Sequence, residues 1–253
     1  MSRCCGFIQA RMSSSRYPGK VLEELGGRPM IIFMVERVRR SKLLDDVVVV
    51  TSTDSSDDPL VETLEREAVP YFRGNLQNVL QRYTDAANAF DAAEVVRLTG
   101  DCPLIDPAVI DAVVNARRSQ NADYASNIDP PTFPDGLDVE CCTAEALFHA
   151  AKHATTALFR EHVTLWMRDP SSAMRRVNIS APVDCSKLRL TVDYPDDLEA
   201  VRSVVRQMRS GAETFDLFDI LRCVFEHPEI TGLNHHPRNE GLAESLATSV
   251  VVG

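Results

Sequence analysis

Apolar runs and stretches of helical spacing alternate along the first half of the chain. Cys4 to Ala10 is a short apolar run that predicts a strand. From Pro29 to Ser41 the apolar positions recur at helical spacing, with proline in the first turn. Asp46 to Ser52, DVVVVTS, is an almost unbroken β-branched run, the pattern of a strand buried on both faces of a parallel sheet. Helical spacing follows over 58–68, an extended run over 69–73, a helix over 76–90 and a strand over 94–98. After the turn TGDCP come a helix over 107–119 and a strand over 122–126. Alternation of this kind predicts an α/β fold, a doubly wound and mostly parallel sheet with right-handed crossovers.

The rhythm changes between Asn127 and Leu190. The segment IDPPTFPDGLDVE concentrates Pro, Asp and Gly and predicts a shaped loop that returns through a strand near 137–142. Helices over 144–154 and 159–168 and a strand over 174–179 complete what reads as an insertion subdomain, spanning about 127–190 and covering the ligand edge of the sheet. Leu188 to Val192 then re-enters the core as a strand. A helix over 195–209 opens with Pro195 and two acidic residues. One domain over 1–233 is expected, followed by a surface tail over 234–253, where periodicity is weak.

Bulk properties narrow the function classes. The 253 residues carry a net charge of −10, whereas a general nucleic-acid binder needs a basic footprint. No apolar run reaches membrane-spanning length, and MSRCCGFIQA turns polar too early for a signal peptide. The seven cysteines include two adjacent pairs, Cys4-Cys5 and Cys141-Cys142, which suit neither a disulfide framework nor a metal knuckle. A cytoplasmic protein with neither nucleic-acid nor membrane partners is expected.

Three polar turns follow predicted strand ends, the edge where open α/β sheets bind ligands. The first, QARMSSSRYPGK over residues 9–20, gathers Arg11, Arg16 and Lys20 with three serines, among them Ser14. Fork-shaped and point-like cations beside small residues suit a triphosphate, although the GxxxxGK[ST] phosphate loop is absent. The same loop also reads as an ordinary solvated surface turn. In the second turn, Asp101 follows Gly100 and suits Mg²⁺, or simply caps the turn. In the third, Asp193 closes a strand as a second candidate metal carboxylate, while Asp196 and Asp197 read as compensation of the helix dipole. Asp106 reads as the N-cap before Pro107. His149 and His153 lie four apart without the Glu of a zinc-protease helix. Arg73 and Arg82 suit either phosphates or solvent.

The phrases QARMSSSRYPGK, VVRLTGDCPLIDP, DYASN, PDGLDVE, REHVT and LRLTVDYPDDLE together resemble the cytidylyltransferase (CMP-sugar synthetase) family, in particular its spore-coat-polysaccharide, SpsF-type branch. The resemblance runs in family order from about residue 5 to 225. It implies a Rossmann-like fold of the nucleotide-diphospho-sugar transferase type and a homodimer. It also implies attack by an acidic-sugar hydroxyl or similar acceptor on the α-phosphorus of CTP, releasing pyrophosphate with Mg²⁺ as cofactor. By the same resemblance Arg11, Arg16 and Lys20 hold the triphosphate, with Arg11 and Lys20 as the catalytic pair. Ala10, Gly74 and Thr99 then line the nucleoside pocket beside Ser14, and Asp101 with Asp193 hold the metal. The chain departs from the octulosonate-activating enzymes at Cys102, where they carry an acidic residue, and at Tyr17, where leucine is common.

The acceptor side rests on position. Asp135, Gly136, Asp138 and Glu140 lie in the shaped loop, and Arg160 stands beside His162 in REHVT. That pair suits an acceptor carboxylate or phosphonate, with His162 available for acid–base work, or else a surface Arg160–Glu161 pair with His162 turned inward. Other readings are a phosphonate cytidylyltransferase, a glycosyltransferase using a nucleotide-sugar donor, or a non-catalytic nucleotide-binding module. A glycosyltransferase usually carries a DxD metal motif at a strand end, whereas here Cys102-Pro103 follows Asp101.

Overall fold

The computed structural model describes residues 2–208, 214–238 and 240–243. The strands are β1 (Cys4–Gln9), β2 (Glu24–Leu25), β3 (Arg28–Pro29), β4 (Asp46–Ser52), β5 (Tyr71–Gly74), β6 (Glu94–Thr99), β7 (Tyr124–Ser126), β8 (Glu140–Thr143) and β9 (Arg176–Asn178). The helices of the first half are α1 (Met30–Val38), α2 (Asp58–Arg66), α3 (Val79–Ala89) and α4 (Pro107–Ser119). Those that follow are α5 (Ala144–His153), α6 (Ala157–Glu161), α7 (Leu165–Arg168), α8 (Pro195–Gln207), α9 (Leu217–Glu226) and α10 (Pro228–Thr231). None of the described helices is long and apolar enough to cross a membrane.

Seven strands form one sheet in the order β5-β4-β1-β6-β8-β7-β9. All neighbours are parallel except β8, which runs antiparallel to both β6 and β7. The β-branched run of β4 is buried because helices cover both faces, as its pattern predicted. Strand order reverses at β1, with β4 on one side and β6 on the other. The chain therefore leaves the carboxyl ends of β1 and β6 into one crevice.

Two glycines let the backbones there approach closely. A Cβ on Gly100 would lie 3.0 Å from the Gln9 carbonyl, whose oxygen accepts from the Gly100 amide at 2.8 Å. Gly136 has φ +105°, and a Cβ there would lie 2.5 Å from the Leu190 carbonyl carbon. Asp106 caps α4 as expected, accepting from the amides of Ala108 and Val109. Its second oxygen accepts from Leu217 N and ties α9 to the same spot.

Three expectations change. The stretch Leu188–Val192 is no strand of the sheet. It makes a single bridge, Arg189 to Asp135, and holds two loops together by hydrogen bonds to Asp135 and Asp101. The helical run over 159–168 breaks into α6 and α7 because the Thr164 hydroxyl between them turns inward to the buried Glu140. The segment expected as a surface tail, 234–253, begins with a buried residue, and its positions 239 and 244–253 lie outside the described residues. Asn234 donates to Asp197 at 2.8 Å, and Arg238 donates to the Phe133 carbonyl at 3.0 Å.

Candidate active site

The loop after β1 is shaped before it can bind anything. Gly19, at φ +76°, turns the chain so that its amide reaches the Met12 carbonyl at 2.9 Å. The Met12 amide donates to Asp57 at 2.7 Å. Asp57 is fully buried and also receives the Thr51 and Ser52 hydroxyls, so the end of β4 holds the loop down.

Folding the loop back sends Lys20 inward. It is buried, and its Nζ donates to the Val192 carbonyl at 2.7 Å and to Asp193 Oδ1 at 2.9 Å. Asp101 Oδ2 lies 3.6 Å from the same ammonium. One cation thus stands between the two carboxylates that the sequence nominated for a metal. Arg16 joins them, with Nη2 2.7 Å from Asp193 Oδ1 and its guanidinium over the Tyr194 ring. Burial pulls the Asp193 carboxyl upward, but Lys20 and then Arg16 outweigh it and hold the group below the usual carboxylate range.

Behind Asp193 stands Arg189, which the sequence reading left unassigned. Its guanidinium donates to Asp135 at 3.0 Å, to Asp193 at 3.3 Å and twice to Asp197 at 2.8 Å. Asp197 is therefore a buried ion-pair partner that also accepts from the amides of Asp193 and Tyr194, which corrects its assignment to the helix dipole. Asp196, by contrast, stays near the surface against His236.

Three cavities lie in a row along this edge. The middle one, about 250 Å³, is lined by Ala10, Arg11, Ser14 and Arg16 from the loop. Lys20, Thr99, Asp101 and Asp193 complete it, so nearly all of the expected nucleotide and metal residues meet there. On one side it shares Arg11 and Glu161 with a cavity of about 470 Å³ walled by Leu76, Gln77, Asn78 and Arg160. On the other it shares Arg16, Thr99, Asp101 and Asp193 with a cavity of about 210 Å³ that reaches Asp135, Asp138, Glu140 and His162.

Three expected residues fall elsewhere. Gly74 lines none of the three cavities. Its carbonyl accepts from Thr53 N, and the residues just after it, Leu76 to Val79, form the wall instead. Arg160 faces the opposite cavity from His162, so REHVT does not supply one joint anion site. Gly136 sits behind the wall, packed on the Leu190–Thr191 backbone. Arg73 is taken up by the carbonyls of Ser52 and Asp54, and Arg82 is fully buried, so neither lies in solvent as a free cation.

The far cavity holds cations that were not foreseen. Arg97, in the middle of β6, stands opposite Glu140 in β8 and forms an ion pair with it. Burial alone would raise the Glu140 carboxyl, but Arg97 holds it below its ordinary value, and Tyr124 and Thr164 donate to it as well. Arg168, at the end of α7, also helps to hold Glu140 down through its charge, and its Nε is buried without a hydrogen-bond partner. His162 Nε2 and Arg97 Nε are likewise buried and unpartnered. Burial lowers the His162 imidazole, which keeps it neutral near pH 7. Burial pushes Asp135 up to about 6 and Asp138 up to about 7, against the pull of Arg238. The arginine in the otherwise apolar strand run VVRLT was the one sequence signal that could have revealed this wall.

Comparison with known proteins agrees with this fold and places the chain among relatives. The family model described as cytidylyltransferase matches residues 5–216. The spore coat polysaccharide biosynthesis protein SpsF of Bacillus subtilis is 33% identical over 207 residues, covering 79% of this chain and 85% of its own. A solved cytidylyltransferase from Leptospira borgpetersenii superposes with a TM-score of 0.88 at 31% identity, covering 94% of this chain and all of its own. A CMP:2-keto-3-deoxy-manno-octonic acid synthetase solved with CTP shares the fold, with a TM-score of 0.64 at 18% identity, covering 81% of this chain and 99% of its own.

Proposed function

Because the chain belongs to the cytidylyltransferase family, we propose that it transfers CMP from CTP to an acidic sugar or phosphonate acceptor and releases pyrophosphate. The observation that carries this is the row of three cavities, whose middle member concentrates the loop cations against Asp101, just beyond the end of β6, and Asp193, before the start of α8. The cavity walled by Leu76, Gln77 and Asn78 takes the nucleoside, with Arg11 at the boundary. The middle cavity takes the triphosphate on Arg11, Arg16 and Lys20. The far cavity takes the acceptor, whose anionic group meets Arg168 and the unpartnered nitrogens of His162 and Arg97.

The acceptor hydroxyl oxygen attacks the α-phosphorus and gives up its proton to solvent, the bond to the β-phosphate oxygen breaks, and pyrophosphate leaves with the electron pair. The protein contributes position and charge, since phosphoryl-type transfer asks little covalent work of it. Asp101 and Asp193 fit Mg²⁺, which takes one or two carboxylates plus phosphate oxygens and would neutralise the developing charge. Asp101 is the freer of the two, with Lys20 at 3.6 Å and the Cys102 thiol at 3.4 Å, whereas Asp193 already serves Lys20, Arg16 and Arg189. Lys20 keeps both carboxylates turned into the cavity until phosphate arrives.

The test is pyrophosphate release from CTP with Mg²⁺, across a panel of keto-acid sugars and phosphonates, against UTP and ATP as controls. Release with one acidic acceptor and CTP supports the proposal. No release from CTP with any member of the panel, by protein that binds the nucleotide, overturns it.

A further inference from the structure

Beyond the region matched by the family model, the chain crosses back over the site. Asn234 donates to Asp197, and the Pro237 carbonyl accepts from Arg189 at 3.4 Å. The His236 ring stacks on Tyr194 with centroids 3.8 Å apart, and its Nε2 lies 3.0 Å from Asp196. These contacts anchor the segment to the start of α8. It then runs across the boundary between the middle and far cavities, where Arg238 pairs with Asp138 and Gly241 lines both spaces.

Glu240 lies on this crossing. Its carboxylate accepts from the Tyr194 hydroxyl at 2.8 Å and stands 3.8 Å from Arg16 Nη1. Burial works against the charge on Arg16, but Asp193 first and then Tyr194 and Glu240 hold its guanidinium above its ordinary value. Arg16 is thus held on one side by Asp193 and on the other by Glu240. We propose that Glu240 is an internal counter-ion of the triphosphate site, one that an incoming triphosphate must displace from Arg16. This rests on the assignment of Arg16 to the triphosphate.

The physical case is one of charge. A triphosphate carries several negative charges, so a carboxylate this close to Arg16 competes for the cation and repels the ligand within a Debye length of about 8 Å at physiological salt. Displacement also takes Glu240 away from the Tyr194 hydroxyl. Glu240 acts through Arg16 and is a positioning residue.

The experiment is calorimetry with inorganic triphosphate and, separately, CTP, on wild type, Glu240→Gln, Arg16→Gln and the double variant. Glutamine keeps a carbonyl for the Tyr194 hydroxyl and removes only the charge. Glu240→Gln is expected to bind both ligands about fivefold more tightly, the size of one partly exposed charge interaction. The gain should grow at low salt and shrink in the Arg16→Gln background, where only direct repulsion of the ligand is left to relieve, which a merely structural effect would not do. Unchanged or weaker binding of both ligands by Glu240→Gln overturns the proposal, as does a gain undiminished by loss of Arg16. Wild-type binding of inorganic triphosphate without CTP would sink the cytidylyl reading alone, and the triphosphate arm would still decide the role of Glu240.

Discussion

The walls on either side of Asp101 are built on different principles. The nucleotide side is one continuous loop, Ala10 to Lys20, whose side chains converge because Gly19 and Asp57 bend eleven neighbouring residues into a cup. The acceptor side is assembled from β6, β8, α7 and the loop at Asp135, with Arg97 and Asp135 each held by a partner far along the chain. The first wall lines an open cavity with its cations, two of which, Arg16 and Lys20, share Asp193. The second spends most of its charges on one another and, among the described residues, leaves nitrogens of Arg168, Arg97 and His162 without hydrogen-bond partners. A cup made from one loop can lose a charge and keep its fold, whereas a wall made from ion pairs cannot.

The largest expected effect separates function from folding on the loop side. Lys20→Ala should lower pyrophosphate release from CTP by about a thousandfold, the upper range for one preorganised charge. Asp193 would still have Arg16 and Arg189, so circular dichroism should show an intact fold. On the acceptor side the order reverses. Glu140→Gln strands the buried Arg97 and should cost about 3–5 kcal/mol in urea unfolding. A loss below about 1 kcal/mol would break the contrast.

Arg168→Met sharpens the comparison from within the acceptor wall, since the Arg168 Nε is buried without a hydrogen-bond partner. It should raise the acceptor KM by about tenfold or more, with CTP affinity unchanged within about twofold in a binding titration. Next comes pH. Burial keeps Asp135 and Asp138 protonated up to about pH 6 and pH 7, while both ionise near pH ~4 in the unfolded chain. The folded protein holds more protons across that window, so their effect is to lower stability as pH rises through it. Asp193 runs the other way: held below its usual range, its contribution is present above pH ~4 and lost on acidification. Asp138→Asn, in metal-free buffer, should therefore gain stability relative to wild type between pH 5 and pH 8, and a constant difference would refute the assignment. Smallest of all, the seven cysteines are buried, with burial pushing Cys4, Cys141 and Cys142 up to about 12, so a thiol reagent should label none before unfolding.

The same contrast explains what the sequence made legible. The loop cations, Asp101 and the apolar strands are local features, and their spacing was enough to place them at one sheet edge. The acceptor wall depends on Arg97 meeting Glu140 across 43 positions and on Arg189 reaching Asp135 across 54. Periodicity carries no record of such pairings, nor of an antiparallel strand slipped between β6 and β7. For that reason spacing alone points to Arg160, reads Asp197 as dipole compensation and reads the segment holding Arg238 and Glu240 as surface. Gly74 lies just before the cavity wall at Leu76 for a related reason, since a strand end predicts where a wall begins and not which side chains form it.

The placement of β8 has a consequence for the chain as it leaves the ribosome. The strands β5, β4, β1 and β6 pair with one another, but the free edge of β6 is closed only by β8, about 40 residues later. At ordinary elongation rates of ~5–20 residues per second, that edge stands open for about 2–8 seconds. During that interval Val95, Val96 and Leu98 present an unpaired apolar strand, the kind of surface to which other nascent chains and chaperones attach. The strand that later supplies Glu140 to the acceptor wall is thus also the one that ends this exposure during synthesis.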